Sequence, residues 1–130
     1  MIVVDASALL EMLLHTPTGN AVRARLAENL DELHAPHLLY LEVANTLRRY
    51  AIKRILPAER CDDALSDLLD ISLVRHEHHM LLPRVWELRD NLSAYDAMYV
   101  ALAEALDAPL LTHDGRAAVA PGHRARIELV

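Results

Sequence analysis

Residues 93–112 read SAYDAMYVALAEALDAPLLT. The segment SAYDAMYVALAEAL (93–106) has the spacing of a helix that is apolar on almost every face, and such a helix is expected to be buried on all sides. After the break at Asp107, APLLT (108–112) is a short continuous apolar run, the pattern of a strand covered on both faces. A buried helix that feeds a buried strand is the repeating unit of a parallel sheet flanked by helices. One residue is out of place in this reading. Asp96, a carboxylate, stands between Tyr95 and Ala97 at the start of the apolar helix.

The rest of the chain reads the same way. IVV (2–4) is a buried-strand run that ends at Asp5. ASALLEMLLH (6–15) is helical up to Thr16-Pro17, residues 19–32 form an amphipathic helix, and LHAP (33–36) is a short strand. LLYLEVANTLRRYAIKR (38–54) is a strong helix. Pro57 suits the first turn of a further helix that ends near Asp70. ISLV (71–74) reads as a strand, Pro83 opens a helix through Arg89, and RIELV (126–130) reads as a last strand. No repeat, low-complexity tract or linker divides the chain, so residues 1–130 are expected to form one α/β domain. Its sheet is mostly parallel, with four to five strands and helices on both faces.

The totals agree. With 130 residues, 53% of them hydrophobic, the chain is long enough to bury a core and too apolar for disorder. A net charge of −6 argues against a general nucleic-acid coat protein. Lys53 is the only lysine among the basic residues; Arg suits phosphate contacts, but GC-rich coding gives the same excess. The single cysteine, Cys61, excludes an internal disulfide and fits a reducing compartment. The sequence shows no signal peptide and no apolar run long enough to span a bilayer, so a cytoplasmic protein without a membrane partner is expected.

In open α/β sheets, ligands bind outside the carboxyl ends of the strands. Asp5 directly follows the first strand, and Asp114 follows PLLT after one residue. Glu42 lies in the early turns of the helix leaving the second strand. Asp96 lies in the first turn of the helix that runs back to PLLT. Four carboxylates, far apart in sequence, are thereby expected on one rim. Each also has a plain structural reading. Asp5 and Asp114 suit Asx turns or helix caps. Ser93-x-x-Asp96 has capping-box spacing. Glu42 suits a solvated helix face. Four independent caps, however, need not converge. Carboxylates held close repel, so they take up protons unless a cation lies among them. Oxygen donors without Cys or a tight His set suit Mg²⁺ or Mn²⁺ rather than Zn²⁺. Such a centre activates water and stabilises charge in phosphodiester cleavage.

These segments resemble PIN-domain ribonucleases, and VapC-type toxins in particular. MIVVDASALLEMLL resembles the family's opening, LEVANTLRR its second motif, SAYDAMYVALAEAL its third and LLTHDGRAAVAPG its fourth, over nearly the whole chain and in order. The resemblance implies an α/β/α sandwich. It implies that Asp5, Glu42, Asp96 and Asp114 bind Mg²⁺ (or Mn²⁺) and activate a water to cut RNA. Ser7, Asn45 and Thr112 match recurrent polar positions, with orienting carboxylates or water as one role and local capping as the other. The resemblance also implies a cognate antitoxin and a homodimer. Leu9, Leu10, Leu13 and Leu14 are candidates for those contacts, with core packing as the alternative. One departure is Ala117, where the family often carries a larger apolar residue.

The alternative function on the same fold is an RNA-processing or binding module without a toxin role. A receiver or an aspartate-nucleophile phosphatase fits less well. The phosphatase needs a second Asp where Ser7 stands, and the receiver needs a late Lys. Among other features, RHEHH (75–79) lacks zinc-protease spacing and reads as structural or solvated. His113 reads as a turn residue, Arg48, Arg49 and Arg54 as a solvated face, and Trp86 and Tyr95 as core.

Overall fold

The computed structural model describes residues 1–28 and 32–130. Within them lie five strands: β1 (Ile2–Val4), β2 (Leu33–Pro36), β3 (Leu73–His76), β4 (Leu110–Thr112) and β5 (Ile127–Leu129). The helices are α1 (Ala6–Leu13), α2 (Pro17–Glu28), α3 (Leu38–Ile52), α4 (Ala58–Asp70), α5 (Leu82–Glu87), α6 (Ala94–Leu106) and α7 (Arg116–Val119), with a 3₁₀ turn at His79–Leu81. The sheet order is β3-β2-β1-β4-β5 and every pairing is parallel. This is the expected α/β/α sandwich.

The central strands are those whose sequences are continuously apolar. Every residue of β1 and β4 is buried, with Val3 opposite Leu110 and Val4 opposite Leu111. Helix α6 lies against β1, β2 and β4, and its residues Ala97 to Ala103 are all buried. A helix covered on all sides must be apolar all round, as this one is. Ser93 caps it by accepting the Asp96 N–H at 3.1 Å, and Asp107 ends it in the left-handed region at φ 48°. On α1, Leu9, Leu10 and Leu13 belong to the core, so the core alternative holds for them, and only Leu14 is partly exposed.

Helix α2 begins at Pro17, two residues earlier than its spacing predicts. Thr16 caps it by accepting the Gly19 N–H at 3.0 Å. The end of the expected 19–32 helix, residues 29–31, lies outside the described residues. Gly19 is required by a close approach: a Cβ there would stand 2.1 Å from the Glu11 carbonyl oxygen and 2.9 Å from the Met12 Cα. Edge strand β3 starts two residues later than expected, because Ile71 serves as the C-cap of α4. His76 is therefore a strand residue. Its Nε2 meets Nδ1 of the buried His34 at 2.8 Å, and His34 Nε2 meets Glu32 Oε1 at 2.7 Å. His78 accepts the Leu38 N–H at the start of α3, at 3.1 Å. These histidines are structural, as the sequence reading had it. Among the described residues no group of three His, Cys, Asp or Glu side chains is set to hold a metal.

Trp86 and Tyr95 depart from expectation. Both are exposed, at 67% and 64%, and Arg89 stacks over the Trp86 ring at 4.9 Å. Helix α5 buries Val85 instead, which leaves its neighbour Trp86 on the outer face. Among the described residues no helix is long and apolar enough to cross a membrane.

Candidate active site

Strand order reverses at β1. Strands β2 and β3 lie to one side of it, and β4 and β5 to the other. The crevice outside the carboxyl ends of β1 and β4 is therefore the topological switch point, where such sheets bind ligands. Asp5 leaves β1 there and Asp114 leaves β4.

Asp5 is the N-cap of α1, so its structural reading is correct as far as it goes. Its Oδ1 accepts the Ser7 hydroxyl at 2.7 Å and the Ala8 N–H at 3.0 Å, and its Oδ2 accepts the Thr112 hydroxyl at 2.5 Å. Thr112 is buried, and its oxygen accepts the Asp114 N–H at 3.0 Å. Ser7 accepts the His113 N–H at 2.9 Å. Two hydroxyls thus clamp the end of β1 to the end of β4, and both were expected near the acids. Burial pushes the Asp5 carboxyl above its ordinary value; the bonds from Thr112, Ala8 and Ser7 pull the other way, and the charge of Asp96 adds to the rise.

Glu42 lies on α3, facing α6. Its Oε1 accepts the Tyr99 hydroxyl at 2.6 Å. Burial raises the Glu42 carboxyl, the Tyr99 bond opposes the rise, and Asp96 and Asp5 add to it. Tyr99 is itself buried, and burial and then the Glu42 charge push its hydroxyl well above the normal phenol range, so its proton stays in place. Sequence reasoning missed this residue. The available signal was the i+3 spacing from Asp96, which puts Tyr99 one turn further along the same face.

Asp96, one turn before Tyr99, directs its carboxylate into the crevice. The half of the capping box that forms uses its backbone N–H, which leaves the carboxylate free for Arg116 Nη2, 3.7 Å from Oδ2. Asp114 makes the expected Asx turn: its Oδ1 accepts the Arg116 N–H at 2.9 Å. Its Oδ2 accepts Arg116 Nε at 2.7 Å and pairs closely with Nη2. The Arg116 bond holds the Asp114 carboxyl below the usual carboxylate range. Arg116 was not anticipated.

Asp5, Asp96, Tyr99, Thr112, Asp114 and Ala117 line one cavity of about 10 Å³, roughly the space of a single water molecule or small ion. Beside it opens a cleft of about 340 Å³ lined by Ser7, Glu11, Glu42, Thr46, Arg49, His113 and Arg116, among others. Asn45 is exposed and lies on a separate groove with Leu41, Glu42 and Tyr95, apart from the Ser7–Asp5–Thr112 network. The donor set at the cavity is oxygen only, which fits Mg²⁺ or Mn²⁺. The acids are close enough to perturb one another but are not gathered into a preformed coordination set.

Comparison with known proteins gives a consistent result. The PIN domain profile matches residues 2–122. A VapC ribonuclease of Mycobacterium bovis is 47% identical over 116 residues, covering 89% of this chain and 87% of that protein. Ribonuclease VapC1 of Mycobacterium tuberculosis is 42% identical over 130 residues, covering 98% and 96%. Among solved structures, VapBC2 of Rickettsia felis, bound to a DNA fragment from its promoter, superposes with a TM-score of 0.72 at 16% identity, covering 100% of this chain and 99% of that one. The last shows the shared fold; the first three show descent. This chain belongs to the PIN-domain family and, within it, groups with the VapC proteins.

Proposed function

We propose that the protein is a metal-dependent endoribonuclease acting in the cytoplasm as the toxin of a toxin–antitoxin pair. The observation that carries this reading is that Asp5, Asp96 and Asp114 line one small cavity at the switch point of the sheet, with Glu42 near enough to feel the charges of Asp96 and Asp5. The ribonuclease names of its VapC relatives support it. A bound Mg²⁺ or Mn²⁺ would lower the pKa of a water and stabilise the charge that develops on the phosphate.

The protein's own groups set how that ion is held. Oδ1 of Asp5 already accepts two hydrogen bonds and Oδ2 one. A carboxylate oxygen has two lone pairs, so Oδ2 is the atom left with one to offer. Glu42 has Oε1 engaged by Tyr99, which fixes the side chain and leaves Oε2 free to turn toward the crevice. Thr112 and Ser7 orient Asp5 rather than touch the substrate. RNA would enter through the 340 Å³ cleft, which Arg49 and His113 line and where they would meet a backbone phosphate.

An antitoxin segment would cover the groove on the other side of Glu42, where Leu41 and Tyr95 are exposed at 76% and 64%. A homodimer completes the reading.

The test is cleavage by purified protein free of any partner. Internal cuts in a structured RNA with Mg²⁺ or Mn²⁺, stopped by EDTA, are expected. D5N cleaving as fast as wild type would overturn the assignment.

A further inference from the structure

Arg116 stands inside the acid cluster rather than at its edge. It contacts Asp114 through Nε, Nη2 and its backbone N–H, and its Nη2 also faces Asp96. Its charge is felt at Asp5 and Glu42 as well. It pairs with two of the four carboxylates, Asp114 and Asp96, in the protein as it stands. Yet its side chain is 71% exposed, against 26% for Arg84, whose guanidinium is fastened to a carboxylate that is 2% exposed. A long side chain this open loses little packing if it swings away. The cleft next to the acids is also lined by Arg116, beside Thr46, Arg49 and His113. The same guanidinium therefore has two places to be.

We infer that Arg116 is a resident counter-ion, displaced from Asp114 and Asp96 by the divalent metal and turned into the adjoining cleft to hold a phosphate of the RNA strand. This rests on the metal-dependent ribonuclease reading above. A guanidinium carries one charge spread over a plane; a divalent ion concentrates two and suits clustered carboxylate oxygens better. Displacement costs Arg116 its carboxylate partners, and a phosphate replaces them with an equivalent bidentate partner. Metal and RNA then favour each other's binding, because each is the reason the other site becomes available. Without metal, Arg116 offsets part of the charge at Asp114 and Asp96.

The experiment is a titration of Mn²⁺ followed by the electron paramagnetic resonance of the free ion. It uses wild type, R116Q, R116K and R49Q, with and without a short RNA in which methylene replaces the leaving oxygen of each internucleotide phosphate, so that a metal-activated water has no leaving group to expel there. Without RNA, R116Q should bind Mn²⁺ at least about fivefold more tightly than wild type, the lower range of typical site coupling. R116K keeps the charge but loses the two-pronged contact, so it should fall between them. R49Q removes the same charge from the same cleft at an exposed residue that makes no ion pair with Asp5, Glu42, Asp96 or Asp114, and should tighten Mn²⁺ far less than R116Q, since an unpaired exposed charge is screened by salt. RNA should tighten Mn²⁺ binding in wild type and lose most of that effect in R116Q. If R116Q binds Mn²⁺ no more tightly, or if R49Q tightens it equally, Arg116 is not a competing counter-ion. If RNA tightens Mn²⁺ equally in wild type and R116Q, the phosphate role falls. Wild type that takes up no Mn²⁺ overturns the metal-site reading itself, an outcome distinct from these.

Discussion

The Thr112 hydroxyl donates to Asp5 Oδ2 at 2.5 Å, joining residues 107 apart in the chain at the ends of β4 and β1. Thr112→Val keeps the shape and removes the donor. Asp5 Oδ2 would then be left poorly solvated and free to turn. Metal affinity and cleavage should fall about 10- to 100-fold, as for other groups that orient a metal ligand. Stability should fall by about 1 kcal/mol. Thr112→Ser should recover most of the activity. Full cleavage by the Val variant would show that Asp5 needs no such orientation.

The metal-free protein should gain stability from Asp5→Asn. Burial raises the Asp5 and Glu42 carboxyls above their unfolded values of 3.8 and 4.5, so the native state holds these protons more tightly than the unfolded chain does. Their contribution is greatest below those unfolded values and is lost as pH rises through the raised native ones. The amide oxygen still accepts from Ser7 and Ala8, and the amide NH₂ can donate to the Thr112 oxygen in place of the bond Oδ2 accepted, without carrying the charge. In EDTA, the advantage of D5N over wild type in urea unfolding should therefore grow from pH 4 to pH 7. An advantage that shrinks over that range would contradict the assigned burial of Asp5.

Cap and carboxylate separate cleanly on α6. The cap is the Asp96 backbone N–H on Ser93, so Ser93→Ala should cost about 1 kcal/mol of stability. Asp96→Asn leaves that bond in place and should abolish cleavage with no comparable loss. Thermal melts paired with cleavage assays distinguish the two. Strong cleavage by the Asn variant would return Asp96 to a purely local role.

Glu104 offers a test of the frame away from the site. Its carboxylate is 2% exposed; it accepts Arg84 Nε at 2.8 Å and Arg84 Nη2 at 3.1 Å, and the Arg124 N–H at 3.0 Å. Arg84 also donates to the Gly122 carbonyl at 3.0 Å, where the backbone turns through φ +95°. Burial works against the Glu104 charge, but the Arg84 bond outweighs it and lowers the carboxyl below 4.5. That stability is present above the unfolded value and is lost as pH falls through the native one. Glu104→Gln should cost about 2–3 kcal/mol at neutral pH, at or just below the usual range for a broken buried pair because Arg84 keeps access to water. The difference from wild type should narrow in acid.

Much of this was legible because chain order and strand pattern do most of the work. Continuously apolar IVV and PLLT had to be central strands, and whatever followed them had to lie at one rim. That placed Asp5 and Asp114, and the helices between placed Glu42 and Asp96. What escaped was side-chain pairing across elements. Tyr99 lies in a helix apolar all round, where a hydroxyl aimed at Glu42 looks like any core aromatic. Arg116 carries no signal in the sequence, because its pairing with Asp96 joins two distant elements. The frame of β3 slipped because an edge strand is only half covered and lacks the unbroken apolar run of a central one. Trp86 and Tyr95 read as core residues, whereas their helices bury neighbouring residues and leave both rings exposed.

The sheet order has a consequence for synthesis. Strand β1 precedes β4 in chain order, yet it sits mid-sheet beside it, with Leu110 paired to Val3. Until that strand emerges, Asp5 lacks its Thr112 partner and Asp114 does not yet exist. The acid cluster therefore assembles only after β4 has been made, so a chain cut short before β4 holds Asp5 without the partners that orient it.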